Sequence, residues 1–216
     1  MVEDGSSWLA QLKGRFIVFD GPDGGGKTTQ VQRFAKLVES SGLELCRVRE
    51  PGGTEIGELI RDILLDSRSS EQMDVRCEML LFMASRAQLI SQCIEPALRD
   101  GQIVLADRFI SSTLAYQGTA GGIAIPEIYQ VAMVALLGHW PDLTVIFDVD
   151  ESTAAIRLNP RWDRMERKGA EYHRRVRRGF IEQAERDPTR FLVVDASADA
   201  DSVFQRVCTE LQRRLD

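Results

Sequence analysis

The chain repeats one pattern: a short apolar run, a turn carrying glycine, proline or acidic residues, then apolar positions at helical spacing. Residues 16–19 (Phe16, Ile17, Val18, Phe19) are apolar without a break, as in a strand buried on both faces of a sheet. Val31, Phe34, Ala35 and Val38 then recur along one helical face, predicting a helix over 27–40 that Gly42 closes. The same reading predicts strands over 15–20, 45–49, 102–106, 143–148 and 191–194. Further helices are predicted over 55–65, 75–98, 126–137, 152–158, 169–186 and 201–215. Another begins at Ser111 and is read as broken by Gly118, Gly121 and Gly122. Strands alternating with helices predict an α/β fold with a five-stranded parallel sheet covered on both faces. Ligands gather at the carboxyl edge of such sheets, and Glu50, Asp107, Arg108 and Asp148 all fall at predicted strand ends there.

Between the first strand and the first helix lies Gly21-Pro22-Asp23-Gly24-Gly25-Gly26-Lys27-Thr28, followed by Thr29. It matches the phosphate-loop pattern G-x-x-x-x-G-K-[ST]. The glycines let successive backbone N–H groups face inward and leave room for a phosphate. The helix start adds unpaired donors and a positive dipole end. Lys27 can reach the outer phosphates of a nucleoside triphosphate, and the Thr28 hydroxyl can ligate Mg²⁺.

At 216 residues the chain is long enough for one well-buried domain with a small lid. With 44% hydrophobic and 28% charged residues, it reads neither as disordered nor as membrane-spanning. A net charge of −6 argues against nucleic acid or a membrane surface as partner. Nothing at the N-terminus resembles an export signal, and the four cysteines are scattered without a C-x-x-C pair, so a reducing cytoplasm is expected. Residues 1–14 precede the first strand as an extension without assigned function, and 15–216 read as a single domain.

Several side chains carry candidate chemistry, each beside a plainer reading. Asp23 is either a solvated turn residue or a contact to a second substrate. Glu50, before Pro51-Gly52-Gly53-Thr54, reads by composition as part of a turn. Phe82 and Arg86, four apart, share a helix face; spacing alone favours core packing with the arginine reaching water, over a flat slot for a base. Asp107 suits a holder of Mg²⁺, and Arg108 would then point at a transferring phosphate. Residues 157–178 hold nine Lys/Arg against three acidic residues. Pro160 interrupts the helix that would align Arg157, Arg161 and Arg164, so an arginine-bearing loop that closes over phosphates is expected. His139 and His173 read as structural.

In order and spacing, F-D-G-P-D-G-G-G-K-T-T, R-E-P-G-G-T with Arg61 downstream, L-F-M-A-S-R, D-R-F-I-S-S-T-L-A-Y-Q-G, P-D-L-T and D-R-M-E resemble the thymidylate kinase family, from about Phe16 onward. The resemblance implies a P-loop kinase fold with a short lid (157–168), a homodimer, and transfer of the ATP γ-phosphoryl group to dTMP with Mg²⁺. It implies that Phe82 stacks on thymine, reversing the plainer reading, and that Arg86 bonds the exocyclic oxygen. Thr113 and Gln117 would touch the base edge, and Tyr116 would crowd the 2′ position. Arg61 and Arg108 would hold the acceptor phosphate, with Asp23 and Glu50 near the 3′-hydroxyl and metal-bound waters. The loop carries Gly24 after Asp23, so the lid would supply the catalytic arginine, with Arg161 and Arg164 as candidates. The lid is shorter and less arginine-dense than usual. Competing readings are a kinase for another nucleoside monophosphate, a deoxynucleoside kinase and a nucleotide-binding sensor. No N-K-x-D stretch is present to read guanine.

Overall fold

The computed structural model describes residues 7–66, 72–157, 164–165 and 168–215. Five parallel strands, β1 (Phe16–Asp20), β2 (Leu45–Arg49), β3 (Ile103–Asp107), β4 (Leu143–Asp148) and β5 (Phe191–Asp195), form one sheet in the order β2-β3-β1-β4-β5. The predicted five-stranded parallel sheet is therefore present. The chain reverses direction across the sheet on either side of β1, which leaves a crevice at its carboxyl end.

Every residue of β1 is buried, and alternation sorts its side chains between two cores. Ile17 and Phe19 face α1 (Lys27–Ser40) and α9 (Ala200–Leu215), packing with Val31, Phe34, Val38, Val207 and Leu211. Phe16 and Val18 face the other way, toward α3 (Val75–Leu89) and α6 (Ile125–Leu136). The segment before β1 joins the first core: Ser7–Leu12 forms a 3-10 turn whose Trp8, Leu9 and Leu12 are buried, with Trp8 6.4 Å from Phe34. Between these elements lie α2 (Glu55–Leu65), α4 (Glu95–Arg99), α5 (Ile110–Thr113), α7 (Glu151–Arg157) and α8 (Ala170–Arg186). Among the described residues no helix is long and apolar enough to cross a membrane. The four cysteines are free.

Two expectations change. The long helix predicted over 75–98 is α3 and α4 joined by a π-helical turn, Ile90–Ile94, just ahead of Pro96. Proline lacks an N–H and crowds the carbonyl four residues back, which a widened turn accommodates. Nor does Gly118 break the helix begun at Ser111, because π-helical turns carry Leu114–Ala120 through it. Gly118 is there for packing: a Cβ would lie 2.6 Å from Ile125 Cδ1 and 3.0 Å from Ile128 Cδ1. The chain turns away at Gly122, whose φ of 85° suits glycine.

Candidate active site

The loop after β1 needs its glycines for close approach as well as for backbone shape. Gly21 has φ 133°, and a Cβ there would stand 2.7 Å from the Phe147 carbonyl oxygen of β4. At Gly24 (φ 81°) a Cβ would meet the Ala154 carbonyl oxygen of α7 at 2.7 Å. The position where an arginine is absent is thus closed to any side chain by the helix lying on the loop. Lys27 is buried and its Nζ donates to the Pro22 carbonyl at 2.7 Å. Burial, then the neighbouring Arg108 charge, lowers its pKa to about 8, despite Asp23, Asp107 and Asp20. The Thr28 hydroxyl donates to Asp107 Oδ2 at 3.0 Å, so the two residues named for Mg²⁺ lie side by side. An all-oxygen pair of this kind suits a hard cation that takes its other ligands from phosphate and water. Among the described residues no group of three or more His, Cys, Asp or Glu could hold a metal by itself.

Asp20, which sequence reasoning passed over, organises the turn after β3. Fully buried at the end of β1, it accepts from Gly21 N–H (2.9 Å), Ser112 N–H (3.0 Å) and Ser112 Oγ (2.7 Å), and from the Ser111 hydroxyl. That turn holds Arg108 at φ 70°, an uncommon conformation for a non-glycine residue and one that clusters at functional sites. Its guanidinium donates to Gly21 O (3.1 Å), Ser112 Oγ (2.9 Å) and the Asp23 carboxylate. The Asp23 carboxylate also accepts from Tyr116 Oη at 2.6 Å. Burial opposes the charge on Asp23, yet Arg108 and Lys27 outweigh it and hold the carboxyl below its usual range. Tyr116 is pushed well above its usual value by burial, with Arg108 opposing, and stays a phenol. Asp23 is therefore not a solvated turn residue: it ties the phosphate loop to the wall opposite.

Glu50 and Arg86 also depart from their plain readings. Arg86 does not reach water; it is 1% exposed, and Glu50 is 5% exposed. Arg86 Nε donates to both Glu50 oxygens (3.0 and 2.8 Å) and Nη2 donates to Oε2 at 2.6 Å. Nη2 also donates to Thr113 Oγ1 at 3.1 Å, and the guanidinium lies 5.0 Å over the Phe109 ring. Burial raises the Glu50 pKa to about 7, Arg86 opposing. Arg61, on α2, donates to the Pro51 carbonyl at 2.8 Å, at the mouth of the same turn.

A single cleft of about 720 Å³ runs from Asp23, Lys27 and Thr28 past Arg108 and Tyr116 to Arg61, Phe82, Thr113 and Gln117. A smaller recess, about 340 Å³, lies on the far side of the loop between Gly24, Thr29, Arg157 and Ala198. Arg157 donates there to the carbonyls of Ala196 (2.7 Å), Ser197 (2.9 Å) and Ala198 (3.0 Å).

Some expected members lie elsewhere. Asp148 takes a two-point ion pair from Arg177, at 2.7 and 2.8 Å, and does not line the cleft. Arg161 lies outside the described residues. Arg164, expected to face the transferred phosphate, instead pairs with the fully buried Glu78 at 2.7 Å and donates from Nε to the Leu64 carbonyl at 2.8 Å. Glu78, Ser112, Lys168 and Tyr172 were not singled out from sequence. An acidic residue on an otherwise apolar helix face, four positions before Phe82, was the available signal for Glu78.

The family model for thymidylate kinase matches residues 19–207. The chain belongs to the thymidylate kinase family. It is 42% identical over 209 residues to a thymidylate kinase of Geobacillus sp. (strain WCH70), covering 95% of this chain and 99% of that one. It is 43% identical over 209 residues to one from Desulforudis audaxviator (strain MP104C), covering 94% of each. A crystal structure of thymidylate kinase from Ehrlichia chaffeensis superposes with a TM-score of 0.76 at 34% identity, covering 93% of this chain and 99% of that one. The chain is thus a kinase of the P-loop fold, a thymidylate kinase that phosphorylates dTMP to dTDP with ATP as donor.

Proposed function

We propose that the large cleft is where the two nucleotides of this reaction meet, with the following division of labour. Lys27, the amides of Gly21–Thr29 and the start of α1 hold the ATP phosphates, and the recess beside Arg157 takes the donor base. Thr28 and Asp107 hold Mg²⁺, which when bound supplies charge neutralisation between the phosphates. On the acceptor side Phe82 faces the base, Thr113 and Gln117 its edge, and Tyr116 the sugar. Arg61 and Arg108 take the acceptor phosphate, which competes with Asp23 for the Arg108 guanidinium. Glu50 lies on the cleft wall near the acceptor sugar, whereas Arg86, expected to bond the exocyclic oxygen of the base, does not line the cleft and acts from behind through Glu50 and Thr113. Because Arg164 is committed to Glu78, the charge-neutralising lid arginine is assigned to Arg161. No general base is needed, since the attacking atom is already an anionic phosphate oxygen, and positioning with charge neutralisation does the work.

The observation that supports this reading is the continuity of one cleft from the phosphate loop to the Phe82–Gln117 end. The apolar residues Ile56, Leu59 and Ile63 on α2, Leu80 on α3 and Met133 and Val134 on α6 are all at least half exposed, on helices packed side by side, which supports a homodimer through this face. Free thiols fit a cytoplasmic enzyme.

The test is ADP release with dTMP, dUMP, dCMP, CMP, GMP and AMP as acceptors, run beside Lys27→Ala. Turnover is expected with dTMP foremost and is lost in the variant, whose far-ultraviolet spectrum stays native. A preference for a purine acceptor, or full turnover by Lys27→Ala, sinks the assignment.

A further inference from the structure

Glu78 sits on α3 one turn before Phe82, fully buried, and three side chains of the acceptor pocket and lid converge on it. Gln117 Nε2 donates to Oε1 at 2.7 Å. Lys168 Nζ bridges both oxygens at 3.0 Å, and Arg164 reaches Oε2 at 2.7 Å. Lys168 also stands 4.8 Å over the ring of Tyr172, whose hydroxyl donates to the Tyr116 carbonyl at 2.7 Å. The residues that line the base end of the cleft and the residues that come from the lid therefore share one carboxylate.

That sharing has a chemical consequence. An ionised carboxylate only accepts hydrogen bonds, so Gln117 must turn its NH₂ toward Glu78 and present its carbonyl oxygen to the cleft. A free glutamine amide could turn either way round. We propose that Glu78 is a positioning residue for substrate choice. By fixing the Gln117 amide as an acceptor, it selects pyrimidines with an N–H on the base edge (thymine, uracil) over cytosine, whose ring nitrogen at that place is itself an acceptor. The same carboxylate also holds Arg164 and Lys168 beside the residue it orients. Arg164 and Lys168 donate to the same carboxylate, so the oxygens Glu78 turns toward Gln117 serve as acceptors, and that is what fixes the amide. The proposal rests on the reading above that Gln117 faces the base.

The experiment is steady-state kinetics with dTMP and dCMP on the full chain, for wild type, Glu78→Gln, Glu78→Asp and Gln117→Ala. In Glu78→Gln the new amide can donate to Gln117, which frees Gln117 to turn its NH₂ to the cleft. The ratio of kcat/KM for dTMP over dCMP is then expected to fall roughly tenfold or more, the scale of discrimination carried by one buried hydrogen bond. Glu78→Asp still only accepts, so its ratio stays within about threefold of wild type while turnover falls as the shorter side chain strains its contacts to Arg164 and Lys168. A residue that merely fills space would lower both substrates in parallel, and an unchanged ratio in Glu78→Gln overturns the proposal. If Glu78→Gln does not fold, loss of the ratio in Glu78→Asp overturns it instead. Gln117→Ala separates the two readings. A ratio it leaves unchanged removes Gln117 from the base; a ratio it collapses while Glu78→Gln keeps the wild-type value removes Glu78 alone.

Discussion

Arg86→Met probes the Glu50–Arg86 pair, and the structure sets both the size and the pH dependence of its effect. The pair is buried, with three short N–H donations from Arg86 onto the Glu50 carboxylate. Removing one member of a buried ion pair typically costs about 3–5 kcal/mol, because the other is left charged without compensation. Glu50 has a way out, since burial already lifts its pKa to about 7 against the pull of Arg86. Without Arg86 the pKa climbs further, and the folded variant keeps a proton that folded wild type has lost. The unfolded chain releases that proton in the ordinary carboxylate range, so raising pH favours unfolding of the variant over wild type. If the variant's Glu50 stays protonated to pH 8.5, the destabilisation grows by about 2 kcal/mol between pH 6.5 and pH 8.5, at 1.36 kcal/mol per pKa unit. Urea unfolding followed by far-ultraviolet circular dichroism and by tryptophan fluorescence measures it, coincidence of the two signals testing for a two-state transition. Arg86→Met combined with Glu50→Gln removes the titrating group, so its loss should be smaller and flat with pH. A single-variant loss equal at both pH values, with the double variant's loss the sum of the two singles, would refute the reasoning.

Gly21→Ala forces a Cβ to within 2.7 Å of the Phe147 carbonyl oxygen at a φ of 133°, so the loop must shift or β4 must move. A loss of roughly 1–3 kcal/mol in stability and a collapse of ATP binding are expected, read by thermal denaturation with and without ATP; a native midpoint with native ATP binding would contradict the close approach. Arg164→Ala removes a lid anchor to Glu78 and should raise the KM for dTMP roughly tenfold or more, the scale of losing one partner of a buried charge pair. A fall in kcat with KM unchanged would instead place Arg164 at the transferred phosphate.

What the sequence determined is what depends on neighbours along the chain. Period-two and period-3.6 patterns are local consequences of backbone geometry, so they placed the strands and nearly all the helices within a residue or two. The phosphate loop was legible because its donors are backbone amides and its glycines are required by local φ values and by close packing, all within a few consecutive residues. The family resemblance added the acceptor residues, many of which line a single cleft.

Tertiary structure decided which charges meet. Glu50 and Arg86 are 36 residues apart, Asp23 and Tyr116 are 93, and Lys168 and Glu78 are 90. No local pattern distinguishes a turn glutamate from one buried against arginine, or an exposed lid arginine from one held by a buried carboxylate. The strength of a charge–charge contact depends on burial, and burial is a property of the assembled sheet and its covering helices. The same holds for Gly118, whose role is the passage of two isoleucines from α6. A side chain's chemistry is written in its own residue; the environment that sets its charge, direction and partner comes from residues the fold brings from far along the chain.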